Sequence, residues 1–138
     1  MPKIVTEPQL DFSNVLIRPK RSTLTSRSEI NLKRTIKMRH SLTEWSGVPI
    51  IAANMDTTGT FEVYETLSSH GCVTALHKFY TAHDFLEYKN TGAIPLNPDL
   101  FMVSTGITND DYDRLNEIMD VVDCNWICVD VANGYIPR

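Results

Sequence analysis

The sequence of 138 residues has only three cysteines, at positions 72, 124 and 128. A small and odd set of this kind argues against a disulfide scaffold and is typical of a reducing compartment, which predicts a cytoplasmic protein. No run of about 18 apolar residues occurs, so we expect no membrane-spanning helix. The N-terminus also has no apolar stretch of signal-peptide length.

Charge is unevenly distributed behind the modest net charge of −4. Residues 1–40 carry nine Lys or Arg and three Asp or Glu, a balance of +6, whereas residues 41–138 carry four and fourteen, a balance of −10. The basic segment has one aromatic residue, Phe12, and no module that stacks on bases. We therefore expect no nucleic-acid partner. The alternative, nucleic-acid binding by residues 18–39, is tested by a salt-dependent binding assay. A phosphorylated ligand also suits a basic arm.

The glycine-rich turn of nucleotide-binding sheets is missing, since residues 54–59 do not form a G-x-G-x-x-G motif. Short, nearly continuous apolar runs are nevertheless present and are typical of strands buried in a parallel sheet. They predict four strands, at 48–53, 72–76, 101–104 and 126–129. Their regular spacing leaves room for one helix after each of the first three strands.

Helix-capping signals fill these gaps. Thr60 is a candidate helix cap, and Thr81 with Asp84 and Thr108 with Asp111 have the spacing of capping boxes. The predicted order is therefore βαβαβαβ and the fold class is α/β. Both an open doubly wound sheet and a (β/α)8 barrel have this order, and periodicity does not separate them.

Each predicted strand is followed by polar residues that a core would not favour. In parallel α/β folds the carboxyl ends of all strands open on one face, where ligands bind. We therefore expect four polar clusters to meet there: Asn54–Asp56, His77–Lys78, Ser104–Gly106, and Asp130 with residues 132–135.

The side chains in these clusters predict specific roles. Lys78 offers a point cation to a phosphate or a carbonyl group. Asp56 and Asp130 are able to accept hydrogen bonds from ribose hydroxyls or to hold a lysine. We expect His77 to be half-buried with its hydrogen bonds satisfied, because no second ligand stands at metal spacing. None of the three cysteines has the surroundings of an activated thiolate, and a strand start separates Cys124 from Cys128, which disfavours a zinc site.

Several of these segments resemble GMP reductase, a family related to IMP dehydrogenase. The matching strings are residues 10–12, 15–24, 26–29, 46–57, 73–78 and 130–135. The most telling are Ala53-Asn54-Met55-Asp56-Thr57 and Asp130-Val131-Ala132-Asn133-Gly134-Tyr135. IMP dehydrogenases usually have a proline where Asn54 stands and often a regulatory insertion after the second barrel strand. Phe101 follows Lys78 by only 23 positions, which is too few for such an insertion.

The resemblance implies a (β/α)8 TIM barrel, of which the chain would hold a basic N-terminal arm (1–47) and about the first four strands (48–138) within a single domain. It implies NADPH-dependent reductive deamination of GMP to IMP and ammonia in purine salvage. A cysteine thiolate attacks purine C2 in that family, and NADPH then supplies a hydride. A cytosolic homotetramer with a cofactor site shared between subunits is also implied, with a potassium ion that has no ligand in this chain.

The resemblance also assigns site residues. Ser26 and Arg27 match positions that reach NADPH bound to a neighbouring subunit, and an arginine fork pairs well with phosphate. Lys78 matches another position that contacts the cofactor. The segment Asp130, Val131 and Ala132 matches the residues beside the nicotinamide end. Met55 matches a loop near the purine base.

Some expected parts of such an enzyme have no counterpart in the sequence. The catalytic Cys-Thr-Thr loop and the GMP phosphate site are among them, so we expect residues 1–138 alone to be inactive and to self-associate through open strand edges. Phe79 and the segment 136–138 depart from the family pattern. The alternatives are part of an IMP dehydrogenase-like enzyme, a non-catalytic partner of a full-length enzyme, or a nucleotide-binding module on an open sheet.

Overall fold

The computed structural model describes residues 6–135 and divides the chain into two compact units between Asn31 and Leu32. In the first unit, residues 6–31 form two 3₁₀ turns and no α-helix or strand. The turns are Phe12–Asn14, capped by Asp11, and Arg27–Glu29, capped by Ser26. Every residue from 6 to 31 is exposed. The single domain with an arm that ends at residue 47 stays a prediction, and the predicted departure at 136–138 lies outside the described residues.

The second unit contains a hairpin and a parallel sheet. Its elements are β1 (Arg34–Lys37), β2 (Glu44–Gly47), β3 (Ile51–Ala52), α1 (Phe61–Ser68), β4 (Val73–Leu76), α2 (Ala82–Thr91), β5 (Phe101–Thr105), α3 (Asn109–Met119) and β6 (Ile127–Val129). Strands β1 and β2 pair antiparallel, whereas β3, β4, β5 and β6 form a parallel sheet in chain order. None of the helices in residues 6–135 has the length and apolar character needed to cross a membrane.

The strand order separates the two architectures that the periodicity left open. A doubly wound sheet reverses the direction of strand addition at a switch point, and ligands bind there. In β3 to β6 each strand is instead added on the same side of its predecessor, as in a (β/α)8 barrel. The predicted fold class, α/β with about the first four strands of such a barrel, is confirmed.

The three helices begin where the capping residues predict. The Thr60 hydroxyl accepts a hydrogen bond from the backbone N–H of Val63. Thr81 with Asp84 and Thr108 with Asp111 both form complete capping boxes. These caps satisfy backbone N–H groups that have no partner within the helix.

The first strand is shorter than predicted. Only Ile51 and Ala52 pair with β4, instead of residues 48–53. Pro49 has no N–H to donate, and the Ile50 N–H turns back to the carbonyl of Val48 at 2.7 Å. Local backbone geometry at Pro49 and Ile50 therefore delays the start of the pairing to Ile51.

The core lies between the parallel sheet and its helices. Tyr64, Leu76, Phe85 and Phe101 are almost fully buried there, and burial of each large apolar side chain contributes about 1.5–3 kcal/mol. The Tyr64 hydroxyl donates to the carbonyl of Pro95 at 2.9 Å and accepts from the N–H of Asn97 at 2.7 Å. This core holds the strand ends in fixed positions.

The β1–β2 hairpin contacts residues that precede the parallel strands. The Val48 N–H donates to the carbonyl of Gly71 at 2.8 Å, just before β4. Trp45 donates to the carbonyl of Asp99 before β5 and meets the ring of Trp126 before β6 edge-to-face at 6.3 Å. The hairpin therefore covers the amino ends of the strands and leaves the carboxyl ends open to a ligand.

Candidate functional site

An ion pair joins two of the predicted clusters at the carboxyl ends of the strands. Lys78 Nζ lies 3.6 Å from Asp130 Oδ2, and the two side chains are 39% and 44% exposed. Lys78 follows β4 and Asp130 follows β6, so the pair bridges the end of β5. The Asp130 N–H donates to the carbonyl of Thr105 at 2.8 Å, which fixes its backbone to β5. Both charges remain accessible to a ligand.

The loop after β3 is tied to β4 and presents Met55. The Met55 carbonyl accepts from the N–H of Thr58 at 2.9 Å and of Gly59 at 2.7 Å, and the Gly59 carbonyl accepts from the N–H of His77 at 2.9 Å. A Cβ on Gly59 would overlap the carbonyl oxygen of Ala75, so the close approach requires glycine. The Met55 side chain is 60% exposed.

The polar cluster at the end of β5 makes contacts within the protein that leave little of it accessible to a ligand. The Thr105 hydroxyl donates to the carbonyl of Asp111 at 3.2 Å. A Cβ on Gly106 would overlap the Asp111 carboxylate, which caps α3. Ser104 is buried, and its hydroxyl has no hydrogen-bond partner in residues 6–135. Ser104 and Thr105 are thus buried at the carboxyl end of β5, whereas Lys78 and Asp130 on the neighbouring strands are accessible.

His77 differs from its predicted state. Its ring stacks on Tyr80 with centroids 3.9 Å apart, as suits a half-buried residue. Its Nδ1 atom, however, is buried without a hydrogen-bond partner among the described residues, so its hydrogen bonds are not all satisfied. No local sequence pattern indicates this unpaired atom, because the surroundings of a buried ring depend on tertiary packing.

The cysteines lie away from the Lys78–Asp130 pair or within the sheet. Cys72 is buried immediately before β4, at the amino end of the sheet. Cys124 donates to the carbonyl of Trp126 at 3.0 Å, and burial raises the pKa of its thiol. Cys128 is half-buried within β6, opposite Ser104 in the register. All three are free thiols, and residues 6–135 contain no group of three His, Cys, Asp or Glu side chains placed to hold a metal ion.

The remaining predicted site residues are accessible. Ala132 is exposed and Val131 is half-buried in the segment that follows β6. In the first unit, Ser26 caps the 3₁₀ turn that begins with Arg27, and both are exposed. Hydrogen bonds from Thr25 lower the pKa of Glu29 in the same turn.

The chain matches curated proteins over almost its whole length. It is 48% identical over 134 residues to GMP reductase of Vibrio campbellii, 48% identical over 135 residues to that of Photobacterium profundum, and 46% identical over 134 residues to that of Klebsiella pneumoniae. Each match covers 96% of this chain and 38% of the relative. The chain is therefore similar to GMP reductases over nearly its whole length, as the sequence resemblance implied. It spans less than half the length of the curated relatives it matches, and no family model matches it.

A solved structure agrees with this relationship. Inosine 5′-monophosphate dehydrogenase from Legionella pneumophila superposes with a TM-score of 0.66 and 26% sequence identity. The superposition covers 91% of this chain and 36% of the dehydrogenase chain. The chain is thus similar in sequence to GMP reductases and similar in structure to part of an inosine 5′-monophosphate dehydrogenase, both of them oxidoreductases.

Proposed function

We propose that this chain forms part of an NADPH-dependent GMP reductase, which converts GMP to IMP and ammonia in cytoplasmic purine salvage. The accessible Lys78–Asp130 pair at the open carboxyl ends carries the proposal, together with 48% identity to curated GMP reductases. Three free cysteines suit a reducing compartment.

The ion pair has the donors and acceptors that a nicotinamide dinucleotide needs. Lys78 supplies an ammonium group for a phosphate, while Asp130 restrains that cation and keeps carboxylate oxygens available for ribose hydroxyls or an amide. Val131 and Ala132 line the nicotinamide end, and Met55 lies near the purine. NADPH would supply the hydride, and these residues would orient it.

The first unit contributes to the cofactor site of a neighbouring subunit in this proposal. Ser26 and Arg27 are both exposed, and the Arg27 guanidinium is suited to bidentate contact with a phosphate group. Such a shared site makes the active protein a homo-oligomer, for which we propose a tetramer.

The nucleophile is not among the three cysteines of this sequence in the proposed mechanism. Cys72 is buried at the opposite end of the sheet, Cys124 has a raised thiol pKa, and Cys128 lies within β6. A reactive thiolate requires the opposite conditions, namely a lowered pKa and access to substrate. We therefore expect residues 1–138 to bind nucleotides without turning over GMP.

An IMP dehydrogenase-like role is the second candidate, because a dehydrogenase of that name has the same fold. Identity to it is 26%, against 48% to the reductase of Vibrio campbellii, which favours the reductase.

A chimera tests the proposed reaction. Residues 6–135 would replace the matching part of the Vibrio campbellii enzyme, and GMP-dependent NADPH oxidation would be followed by absorbance. We expect activity in the chimera and a large loss with Lys78→Met. The matched control is Lys37→Met on β1, in the hairpin at the opposite end of the sheet. A folded chimera without activity, or one unaffected by Lys78→Met, contradicts the proposal.

A further inference from the structure

A row of aromatic rings leads from the core to the carboxyl ends of the strands. The ring centroids of Phe61 and Tyr80 are 4.3 Å apart, those of Tyr80 and His77 are 3.9 Å apart, and those of His77 and Phe79 are 5.8 Å apart. Phe61 is buried, and the N–H of Phe61 donates to the Tyr80 hydroxyl at 3.3 Å. The Phe79 ring therefore lies beside His77, whose own ring stacks on Tyr80 next to the buried Phe61.

Phe79 ends this row with 63% of its surface exposed. A phenylalanine gains its stabilising effect from burial, so most of that effect is absent in this state. Phe79 directly follows Lys78, the cation of the ion pair with Asp130. The exposed Met55 follows the neighbouring strand β3. The otherwise polar end of the sheet thus offers apolar surface next to a positive charge.

We infer that the Phe79 ring is a stacking platform for the planar base of a nucleotide whose phosphate contacts Lys78. This inference rests on the proposed function and adds a binding residue to it. Aromatic side chains stack on any base through its π-face, and an ammonium group binds phosphate as a point charge. A nucleotide presents a ring and a phosphate in one molecule, which matches two consecutive side chains of these types.

The base that stacks on Phe79 belongs to one of three nucleotides: GMP, the nicotinamide half of NADPH or its adenine half. Three probes distinguish these sources, namely GMP, nicotinamide mononucleotide and adenosine 2′,5′-bisphosphate. Each would be titrated into the full 138-residue chain by calorimetry, and the Phe79 ring-proton resonances would be followed by NMR. Stacking shifts those resonances upfield, which a purely structural role of Phe79 would not produce.

Substitutions at Phe79 separate stacking from apolar contact. We expect Phe79→Ala to raise the dissociation constant of at least one probe about tenfold or more, since base stacking on an aromatic ring contributes roughly 1–3 kcal/mol. Phe79→Trp should bind that probe at least as tightly as the wild type, whereas Phe79→Leu should behave as the alanine variant. The exposed Phe12, in the first unit, is the matched control, and Phe12→Ala should leave all dissociation constants unchanged.

The outcomes distinguish this inference from the proposed function. If Phe79→Ala or Phe79→Leu binds all three probes as the wild type does, while Lys78→Met weakens them, the platform is overturned and the proposed function stands. If the wild-type chain binds none of the probes, the stacking platform and the proposed function are both overturned. Far-UV circular dichroism confirms that each variant is folded.

Discussion

The indole N–H of Trp45 donates to the backbone carbonyl of Asp99 across 2.8 Å, and this bond joins the hairpin to the amino end of β5. Trp45 is buried, although the other residues of the two hairpin strands are exposed apart from Gly47. Its ring also meets Trp126 edge-to-face. Trp45 therefore attaches the hairpin to the residues that precede both β5 and β6.

We predict that Trp45→Phe lowers the free energy of unfolding by about 1–3 kcal/mol, because it removes a hydrogen bond to a backbone carbonyl and leaves a small cavity. Urea unfolding followed by circular dichroism measures the loss. The control is Trp126→Phe, since the indole N–H of Trp126 has no hydrogen-bond partner in residues 6–135. Equal losses in the two variants would contradict the role given to the Trp45–Asp99 bond.

The helix starts could be predicted from the sequence because their causes are local. Thr81 and Asp84 satisfy each other's backbone N–H groups within four residues, so spacing alone identifies the box. Thr108 and Asp111 repeat this arrangement. The polar ends of the strands were predictable for a similar reason, because parallel strands bring their carboxyl ends to one face.

The hairpin and the aromatic row could not be predicted in this way. Strands β1 and β2 lack apolar alternation, and only Trp45 and Gly47 are buried in them. Their position depends on a bond from Trp45 to Asp99, 54 residues away. The exposure of Phe79 likewise depends on where His77 and Tyr80 pack, which no local pattern specifies.

We predict that the two capping boxes make stability fall in acid. Hydrogen bonds from Thr81 lower the pKa of Asp84, and those from Thr108 lower the pKa of Asp111. A carboxylate whose pKa is lower in the folded state stabilises the fold at pH values above the ordinary aspartate pKa of about 3.9. This contribution is lost as the pH falls through the lowered pKa of the folded state. Asp84→Asn should therefore reduce the slope of unfolding free energy against pH between about pH 5 and 2.

Urea titrations at several pH values give this slope. Asp113→Asn, an exposed aspartate on α3, is the control and should leave the slope nearly unchanged. Thr81→Ala should lower the free energy of unfolding by about 0.5–2 kcal/mol at neutral pH, since the N-cap of α2 is lost. A slope that Asp84→Asn and Asp113→Asn alter equally would show that general charge, and not the cap, causes the acid sensitivity.

We predict that the Lys78–Asp130 pair matters for binding far more than for stability. Both side chains are substantially exposed, and exposed ion pairs contribute about 0–1 kcal/mol to folding. Lys78→Met and Asp130→Asn should each change the urea midpoint only slightly, yet weaken NADPH binding measured by its fluorescence. Asp123→Asn, in the exposed loop before β6, is the matched control for the aspartate. A large loss of stability with unchanged NADPH binding would assign the pair a structural role.

We predict that Arg27→Ala raises the KM for NADPH more than the KM for GMP in the active chimera. The Arg27 guanidinium is exposed and would contact a cofactor phosphate on a neighbouring subunit, whereas GMP would bind elsewhere. Steady-state kinetics at varied NADPH and GMP measure both constants, and Arg27→Lys should restore part of the NADPH affinity. Equal changes in both constants would sink the assignment to a shared cofactor site.

We predict that the 138-residue chain self-associates through the outer face of β6. Ile127 and Val129 are 50% and 56% exposed there, beside the exposed Tyr112 on α3. Within residues 6–135, β6 pairs with β5 alone, and contiguous apolar surface at such an edge strand favours association with another copy. Light scattering should show a mass that rises with concentration, and Ile127→Lys should lower it. Leu86→Lys, at a comparably exposed position on α2, is the control, and a wild-type chain that stays monomeric at every concentration would refute the prediction.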